Sequence, residues 1–447
     1  METIRVGILG LGTVGNGVVN LLHGQGGLIS RRLGAEVVVH RIADRSMYAK
    51  NKDEKIKDVA DIPRERLGTD ADALIDDPEV DIVAELIGGL GDARRHILRA
   101  IGKRKPVVTA NKAVLAVHGE ELFAAAERAG CPLGFEASVA GGIPIVRNLR
   151  EGFAADRIES LAGILNGTCN YILSEMTEKG AGFEETLKRA QELGYAEADP
   201  AFDVDGVDAS HKIAILANLA YGTPVDVSAF MVEGIRSIEA ADIAFARELG
   251  CRIKLIAMAR ETEGKLDIRV HPAMLPERHP LSQVGGVYNA VAVSGLHAGP
   301  QVFIGRGAGS AATASAVVGD IIEVARWLRS GSQSRLPAAA FLPGQRRPLE
   351  ILTAREMRSS YYVRFAALDR PGVLSRIAGA FGAHDISLMN VIQKGRAGRE
   401  DHVPLVLLTH EAVEQDMRNA LGEIARLDVV RPEYAMIRVV PDGMAFV

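Results

Sequence analysis

Cysteine, net charge and long apolar runs are all scarce in this 447-residue chain, and each scarcity excludes a class of protein. The three cysteines (Cys131, Cys169 and Cys251) form no C-x-x-C pair, which argues against a disulfide framework and a zinc site and suits a reducing cytoplasm. The formal net charge of −5 gives no support for nucleic-acid binding. No apolar run reaches about 18 residues, so we expect no membrane span. The N-terminus enters a strand at once, and we expect no signal peptide.

Strands and helices alternate through the first third of the chain. Short apolar runs predict buried strands at residues 4–9, 37–43, 80–87 and 106–109, with helical patterns between them. This alternation predicts an α/β fold, a Rossmann-type doubly wound parallel sheet, for residues 1–135.

The loop after the first strand carries the glycine pattern G-x-G-x-x-G. Gly10 permits a tight turn, Gly12 lets the backbone approach a pyrophosphate, and Gly15 lets helix and strand pack closely. The helix that follows offers free N–H groups to phosphates. With Thr13 and Val14 the loop predicts binding of NAD or NADP, and a purely structural turn is the alternative.

Asp44 and Arg45 end the second predicted strand. Asp44 can bind the ribose 2′-hydroxyl of NAD and would repel the 2′-phosphate of NADP, whereas Arg45 could pair with that phosphate. Asp44 comes later than the usual ~20 positions after the loop, and we interpret the glycine-rich segment 24–34 as a surface insertion that explains the delay. A solvated charge pair is the alternative. The sequence slightly favours NAD and leaves NADP open.

Residues 190–212 hold a cluster of carboxylates that ends on a lysine. Asp208 and Lys212 are four residues apart, so on a helix they share a face. Taken singly, each acid has an ordinary interpretation as a helix ion pair or as a loop acid near a helix N-terminus. Taken together, they predict a site for a small cationic substrate and a proton transfer. The carboxylates are Glu197, Asp199, Asp203, Asp205 and Asp208, of which Asp205 is expected to stay at the surface.

Lys112 follows the predicted strand at residues 106–109. The carboxyl end of such a strand points to the crevice where ligands bind in open α/β sheets. We therefore expect Lys112 between the nicotinamide and the substrate. A surface lysine on a loop is the alternative.

A chain of 447 residues is too long for one compact core, so we expect further domains after residue 135. Strands with intervening helices predict an α+β domain for substrate binding and dimerisation at residues 136–310, and the helix at 311–329 is expected to return to the first domain. Residues 330–358, rich in Ser, Gly, Pro and Arg, are typical of a linker. The order βαββαβ predicts a small ferredoxin-like domain at residues 359–447.

Four segments together resemble the homoserine dehydrogenases. They are the run at 190–212, VTANKAVLA around Lys112, FEASVAGGIPIV at 135–146 and ILNGTCNYIL at 164–173. The resemblance covers residues 1–330. It implies an NAD(P)-dependent interconversion of L-homoserine and L-aspartate 4-semialdehyde in threonine, methionine and isoleucine biosynthesis.

The resemblance also implies roles for the substrate site. Glu197 and Asp208 would hold the ammonium and amino-acid end of the substrate, with Asp203 assisting nearby. Lys212 would donate the proton to the aldehyde oxygen in the reductive direction. Lys112 would orient the reacting carbonyl beside the cofactor.

Two further sites follow only from the resemblance. Gly307 would face the cofactor from a later part of the chain. Glu136, Val139, Gly141 and Ile143 would bind a monovalent cation, usually sodium, largely through backbone oxygens. From the residues alone, a tight packing turn is the alternative at these four positions.

The segment DRPGVLSRIA at 369–378 resembles the ligand loop of ACT domains, which bind amino acids at paired interfaces. Gly372 lets the backbone approach a ligand at a helix N-terminus, where a carboxylate is favoured, and Asp369 and Val373 flank it. The implied effector is threonine, and the implied assembly is a homodimer or homotetramer. An ACT domain that only dimerises is the alternative.

The sequence thus predicts a cytoplasmic homoserine dehydrogenase with a C-terminal ACT domain. Two other functions stay open: a dehydrogenase for a related amino-acid semialdehyde, and a non-catalytic regulatory protein that senses an amino acid. The presence of both lysines and of every acid in the run speaks against the second.

Overall fold

The N-terminal strands form one parallel sheet in the order β3-β2-β1-β4-β5-β6. The computed structural model describes residues 1–47, 62–331, 336–393 and 402–440. The strands are β1 Thr3–Leu9, β2 Glu36–Ala43, β3 Leu67–Gly68, β4 Ile82–Glu85, β5 Val107–Thr109 and β6 Leu133–Gly134. The helices between them are α1 Thr13–Leu33, α2 Ala71–Asp76, α3 Gly91–Gly102 and α4 Lys112–Ala129.

Both faces of this sheet are covered. Val83 on β4 packs into a core with α3 and α4, whereas its neighbours Ile82 and Ala84 pack into a second core with α1. Alternate residues of a strand point to opposite faces, so a strand buried on both sides is apolar throughout. The predicted Rossmann-type, doubly wound parallel sheet is confirmed.

Helix α1 corrects the interpretation of residues 24–34 as a surface insertion. The helix runs unbroken to Leu33 and ends at Gly34, which has a left-handed φ of 76°. Leu22, Ile29 and Leu33 keep a buried stripe at helical spacing. The glycines of this segment lie on the outer part of the helix, where each costs about 1 kcal/mol relative to alanine but does not end the helix. Asp44 therefore comes late because α1 is long.

The middle of the chain builds a mixed sheet with helices packed on it. Its strands are β7 Ile158–Ile164, β8 Met231–Val232, β9 Cys251–Thr262, β10 Lys265–Pro276, β11 Tyr288–Gly295 and β12 Gly299–Arg306. Its helices are α5 Ile145–Arg147, α6 Gly167–Lys179, α7 Phe183–Glu192, α8 Ala201–Val204, α9 Val207–Tyr221 and α10 Ala240–Glu248. A π-helical turn, Asn148–Gly152, continues α5.

A long helix, α11 Ser310–Ser330, follows this sheet and packs against α1. The Ser310 hydroxyl donates a hydrogen bond to the Thr13 carbonyl at 2.8 Å. Ala314 lies so close to Gly17 that a Cβ at position 17 would be 3.0 Å from the Ala314 Cβ. The chain thus returns to the parallel sheet after the middle domain. Among the described helices, none is long and apolar enough to cross a membrane.

The C-terminal domain has the predicted order βαββαβ, with one extra short strand. Its elements are β13 Arg358–Leu368, α12 Val373–Ala383, β14 Leu388–Gln393, β15 His402–Thr409, β16 Ala412–Val413, α13 Glu414–Ile424 and β17 Val430–Val439. The sequence predicts a polar, glycine-containing hairpin between β14 and β15, and this segment lies outside the described residues.

The sheets of the middle and C-terminal domains are continuous. Strand β17 pairs in parallel with β10, where Ala273 lies opposite Arg438 and Met274 opposite Val439. The combined order is β12-β11-β7-β9-β10-β17-β13-β15-β14. This connection was not predicted from the sequence.

The segment between α11 and β13 is fixed against the middle domain over its described part, residues 336–357. The Phe341 ring fills the space beside Gly222, and the Arg346 guanidinium donates a hydrogen bond to Asn218 Oδ1 at 2.9 Å. Ile351 forms a parallel bridge with Leu266 on β10. These contacts hold the C-terminal domain close to the sheet that it extends.

Candidate active site

A cavity of about 760 Å³ lies between the carboxyl edge of the parallel sheet and the middle domain. Small-molecule sites are usually of about 300–1,000 Å³ and often lie between domains. The structure brings nine of the predicted site residues to its wall: Thr13, Val14, Lys112, Gly141, Glu197, Asp203, Asp208, Lys212 and Gly307.

The glycine loop forms one end of this cavity. Gly10 has a φ of 96°, and a Cβ there would lie 2.7 Å from the Leu86 carbonyl oxygen. A Cβ at Gly15 would overlap the Gly10 carbonyl oxygen, whereas a Cβ at Gly12 would meet no atom within 4 Å. Gly10 and Gly15 thus keep the turn tight, and the backbone at Gly12 stays open at the N-terminus of α1. This is a shape that fits a pyrophosphate.

Asp44 fixes the glycine loop from the end of β2. One carboxylate oxygen accepts a hydrogen bond from the Leu11 N–H at 2.7 Å, and the other accepts one from the Ser46 N–H at 2.7 Å. Arg45 is exposed and forms an ion pair with Asp92 on α3. The structure therefore places a carboxylate, with an arginine beside it, where the adenosine ribose of a dinucleotide binds in this fold.

Asp208 joins the two lysines of the site. Lys212 Nζ lies 2.7 Å from Asp208 Oδ2, and Lys112 Nζ lies 2.6 Å from Asp208 Oδ1. Asp208 and Lys212 are one turn apart on α9 and are 2% and 8% exposed, respectively. Lys112 is the first residue of α4 and lies three residues after the end of β5. The cavity therefore holds two ammonium groups that share one buried carboxylate.

Burial and charge shift the pKa values of this group in definite directions. Burial opposes ionisation of Asp208, but the charges of Lys212 and Lys112 outweigh it and hold the Asp208 pKa below its usual range. Burial lowers the pKa of Lys212, and Lys112 lowers it further against the opposing effect of Asp208. Asp208 is thus an anion at neutral pH, and Lys212 releases its proton more readily than a lysine in water.

A backbone carbonyl and an asparagine complete the surroundings of Lys212. Its Nζ donates to the Leu165 carbonyl at 2.6 Å, and the same oxygen accepts a hydrogen bond from Asn289 Nδ2 at 2.9 Å. Asn289 is 1% exposed, and its Oδ1 has no hydrogen-bond partner within the described part of the chain. Sequence reasoning missed this residue, although a lone amide among the alternating apolar residues of β11 is a usable signal.

Asn166 and Thr168 hold Asp203 at the cavity wall. Asn166 Nδ2 donates to Asp203 at 2.8 Å and to Asp208 at 2.9 Å, and Thr168 Oγ1 lies 3.0 Å from Asp203. Asn166 also caps α6, because its Oδ1 accepts the Cys169 N–H at 2.8 Å. Sequence reasoning assigned no role to Asn166 or Thr168. An asparagine at the cap of a helix that follows a buried strand could have indicated it.

Glu197 and Asp205 occupy different positions in the acidic run. Glu197 is exposed at the wall of the cavity. Asp205 does not line the cavity, and its carboxylate binds the Arg236 guanidinium at 2.5 Å. The run thus supplies Asp203, Asp208 and Glu197 to the cavity and directs Asp205 away from it.

The sequence matches three family models: homoserine dehydrogenase over residues 144–322, the homoserine dehydrogenase NAD-binding domain over residues 10–136 and the ACT domain over residues 361–428. Curated homoserine dehydrogenases from Neisseria gonorrhoeae and Pseudomonas aeruginosa are 45% and 43% identical to it. Each alignment covers 98% of this chain and 99% of the relative. The chain belongs to the homoserine dehydrogenase family.

Solved structures of homoserine dehydrogenases share its fold. The crystal structure of one from Thiobacillus denitrificans superposes with a TM-score of 0.91 at 45% identity, covering 98% of this chain and 99% of that one. A hyperthermophilic archaeal homoserine dehydrogenase in complex with NADPH superposes with a TM-score of 0.61 at 28% identity, covering 72% of this chain and 98% of its own. The predicted oxidoreductase family and the ACT domain are confirmed, and a nicotinamide cofactor is supported.

Hydrogen bonds within the protein order the loop that the homoserine dehydrogenase resemblance assigns to sodium. The Glu136 carboxylate accepts hydrogen bonds from the Val146 and Arg147 N–H groups at 2.8 and 2.9 Å, which caps α5. The Val139 and Ile143 N–H groups close turns onto the Glu136 and Ala140 carbonyls. Burial raises the pKa of the Glu136 carboxyl group. Sodium binding through the backbone oxygens of this loop stays a prediction.

The predicted effector loop of this homoserine dehydrogenase lies between β13 and α12. Gly372 has a φ of 88° and precedes the first helical residue, Val373. Asp369 accepts a hydrogen bond from Gln393 on β14 at 3.2 Å. The loop is therefore tied to β14, the outermost strand of the C-terminal domain among those described.

Proposed function

We propose that this enzyme interconverts L-homoserine and L-aspartate 4-semialdehyde with NAD or NADP in the biosynthesis of threonine, methionine and isoleucine. One observation carries the proposal: Asp208 holds Lys112 and Lys212 together in a cavity that opens onto the glycine loop. The names of the relatives agree with this reaction.

The two lysines have different roles in the reductive reaction. The bound cofactor supplies the hydride that reaches the aldehyde carbon, and negative charge then develops on the aldehyde oxygen. Lys212 stabilises that charge and donates the proton, which its lowered pKa favours. Lys112 orients the carbonyl from the other side of Asp208.

The carboxylates bind the other end of the substrate. Glu197 and Asp203 offer oxygens along the cavity wall for the substrate ammonium. Asp208 already receives hydrogen bonds from Lys212 and Asn166, but a carboxylate has about four lone-pair sites and can accept another. We therefore retain Asp208 both as a substrate anchor and as the group that fixes the two lysines.

Kinetics with alternative aldehydes test this proposal. Turnover should be highest with aspartate 4-semialdehyde, measured with NADH and NADPH in parallel. Lys212→Met should lower kcat by about two to four orders of magnitude, the usual range for losing an acid–base group. Lys254→Met is a matched control, because Lys254 is also buried but hydrogen-bonds Asn170 and Val284 and does not line the cavity. A preference for another semialdehyde would indicate a dehydrogenase for a related amino-acid semialdehyde. Binding of an amino acid without turnover would indicate a non-catalytic regulatory protein.

We also propose that an amino acid, threonine by expectation, binds at the loop of Asp369, Gly372 and Val373. The open backbone at Gly372, where a Cβ would meet no atom within 4 Å, supports this. Threonine should inhibit homoserine oxidation and raise the melting temperature. Gly372→Val should abolish both effects and keep turnover without threonine. An ACT domain that only dimerises predicts no response to threonine in either measurement.

The assembly and cellular location remain proposals as well. Strand β12 ends the sheet order among the described strands and exposes Ile304, which supports pairing with a second subunit in a dimer or tetramer. Light scattering of the purified protein decides the number of subunits.

Cys131 and Cys169 are buried free thiols, which fits the expected cytoplasm.

A further inference from the structure

The segment Met231–Arg236 lies between the C-terminal domain and the part of the active site that carries the acidic run. It begins as β8, which pairs with β10 at Arg269 and Val270. The Glu233 N–H then donates to the Val270 carbonyl at 2.7 Å. The backbone of Glu233 is thus fixed to the central sheet, and its side chain is free to reach another element.

The Glu233 carboxylate is held by two arginines of the C-terminal domain. Arg438 on β17 approaches it at 2.6 Å and Arg418 on α13 at 2.8 Å. Both arginines also bind Glu414, at 2.6 and 2.8 Å, and Glu414 and Arg438 are almost completely buried. A buried guanidinium with two carboxylate partners allows few alternative arrangements, so Glu233 is held firmly.

The next residues contact the backbone of the acidic run directly. The Ile235 N–H donates to the Val204 carbonyl at 2.8 Å. A Cβ at Gly234 would overlap that same carbonyl oxygen and would lie 2.5 Å from the Asp205 Cα. Position 234 therefore accepts only glycine while the backbone of Val204 and Asp205 stays where it is.

The backbone held in this way carries substrate-site groups on both sides. Asp203 precedes Val204 and hydrogen-bonds Asn166 and Thr168. Phe202 lies under the Lys112 ammonium, whose nitrogen is 5.4 Å from the ring centre. A shift of Val204 would move both groups.

We propose that Glu233 and Gly234 are positioning residues for substrate binding, and that Arg418 and Arg438 of the C-terminal domain hold them in place. The proposal rests on the proposed function only for the identity of the substrate. It assigns to the C-terminal domain a direct mechanical contribution to the shape of the homoserine site.

A second ion pair between the same domains provides a matched control. Arg364 on β13 binds Asp242 on α10 at 2.6 Å, and Asp242 is fully buried. This pair joins the same two domains but leads to α10, which contributes no residue to the cavity wall. Gly422 on α13 is a control for Gly234, because a Cβ there would meet no atom within 4 Å.

The test is steady-state kinetics and thermal melting of the full-length Glu233→Gln, Gly234→Ala, Arg364→Gln and Gly422→Ala proteins. Glu233→Gln and Gly234→Ala should each raise the KM for homoserine about tenfold, with the KM for the nicotinamide cofactor unchanged. Arg364→Gln should lower the melting temperature at least as much as Glu233→Gln without changing the KM for homoserine. Gly422→Ala should leave both KM values unchanged.

Two results would overturn the proposal. One is an unchanged KM for homoserine in Glu233→Gln and Gly234→Ala proteins that are folded and active. The other is an equal rise in this KM for Arg364→Gln, which would indicate a general effect of domain contact. A wild-type protein that does not turn over homoserine would instead contradict the proposed substrate, and the comparison would then use the accepted aldehyde.

Discussion

Gly307 lies so close to the Asn289 carboxamide that no side chain fits at position 307. A Cβ there would overlap the carbon, nitrogen and oxygen of that amide. Asn289 in turn donates to the Leu165 carbonyl, the oxygen that also accepts a hydrogen bond from Lys212. The glycine predicted to face the cofactor therefore also keeps in place a residue that supports the proposed proton donor.

Gly307→Ala should therefore impair catalysis through Asn289. The new methyl group must displace the carboxamide, which leaves the Leu165 carbonyl without that donor and lets Lys212 shift. We expect kcat/KM for homoserine to fall at least tenfold, about 1.4 kcal/mol of transition-state stabilisation. Gly319→Ala on α11 is the control, since a Cβ there meets no atom within 4 Å and activity should not change. Equal activity of the two variants would contradict the link.

Asp208→Asn should move the pH dependence of the reaction. The Asp208 charge raises the pKa of Lys212 against burial and against Lys112, so its removal lowers that pKa further. Aldehyde reduction needs protonated Lys212, and its rate should begin to fall at a lower pH in the variant than in the wild type. Homoserine oxidation needs the neutral amine, and its rate should begin to rise at a lower pH. Profiles of kcat in both directions measure this, and a shift to higher pH would exclude Lys212 as the titrating group.

The sequence located the charged residues of the site but not the amides that hold them. Asp203, Asp208 and Lys212 lie within one short segment, so their clustering is visible as spacing. Asn166 and Asn289 are far from them in the chain, and strand pairing between β7 and β11 brings them together. A single buried amide shows in the sequence only as a polar residue beside an apolar run, and the group that it binds depends on what the fold places beside it.

The fold was predictable where local pattern decides it. Alternating strands and helices gave the parallel sheet, and βαββαβ gave the C-terminal domain. The pairing of β10 with β17 was not predictable, because Met274 and Val439 are distant in the chain. The sequence of an apolar strand does not indicate which strand it pairs with. The glycines at 24–34 predict a break after the first turns of α1, but Leu22 and Ile29 keep the apolar spacing of a helix and α1 continues to Leu33.

Asp44→Asn should shift the cofactor preference toward NADP. One oxygen of the carboxylate hydrogen-bonds the Leu11 N–H, which the asparagine oxygen can also do, so the contact with the glycine loop should be kept while the hydrogen bond from the Ser46 N–H is lost. Loss of the negative charge removes repulsion of a 2′-phosphate beside Arg45. We expect the ratio of kcat/KM for NADP to that for NAD to rise about tenfold, about 1.4 kcal/mol. Adding Arg45→Ala to Asp44→Asn should cancel this rise. An unchanged ratio in Asp44→Asn would show that the 2′-position of the adenosine ribose does not bind beside Asp44.

Asp320 on α11 should make the stability of the protein depend on pH. Burial and the nearby Glu136 charge raise its pKa to about 8, from 3.8. Between these two values the unfolded chain has an ionised carboxylate and the folded protein a neutral one, so the folded state binds more protons. Stability must therefore fall as pH rises from about 4 to about 8, and the full loss is present above pH 8.

Asp320→Asn should remove most of this dependence. Its side-chain oxygen can still accept the Glu136 N–H, which Asp320 accepts at 2.8 Å, so the local contact is kept without a titrating group. The melting temperatures of variant and wild type should be similar near pH 4 and diverge with rising pH, the variant becoming the more stable. Some dependence should persist, because burial also raises the pKa of Glu136. Glu323→Gln removes a partly exposed carboxylate that binds Arg147 and whose charge also raises the Asp320 pKa, so this variant should keep the pH dependence but shift its upper end to lower pH. A curve of melting temperature against pH for Asp320→Asn that runs parallel to that of the wild type would show that Asp320 is ionised in the folded protein.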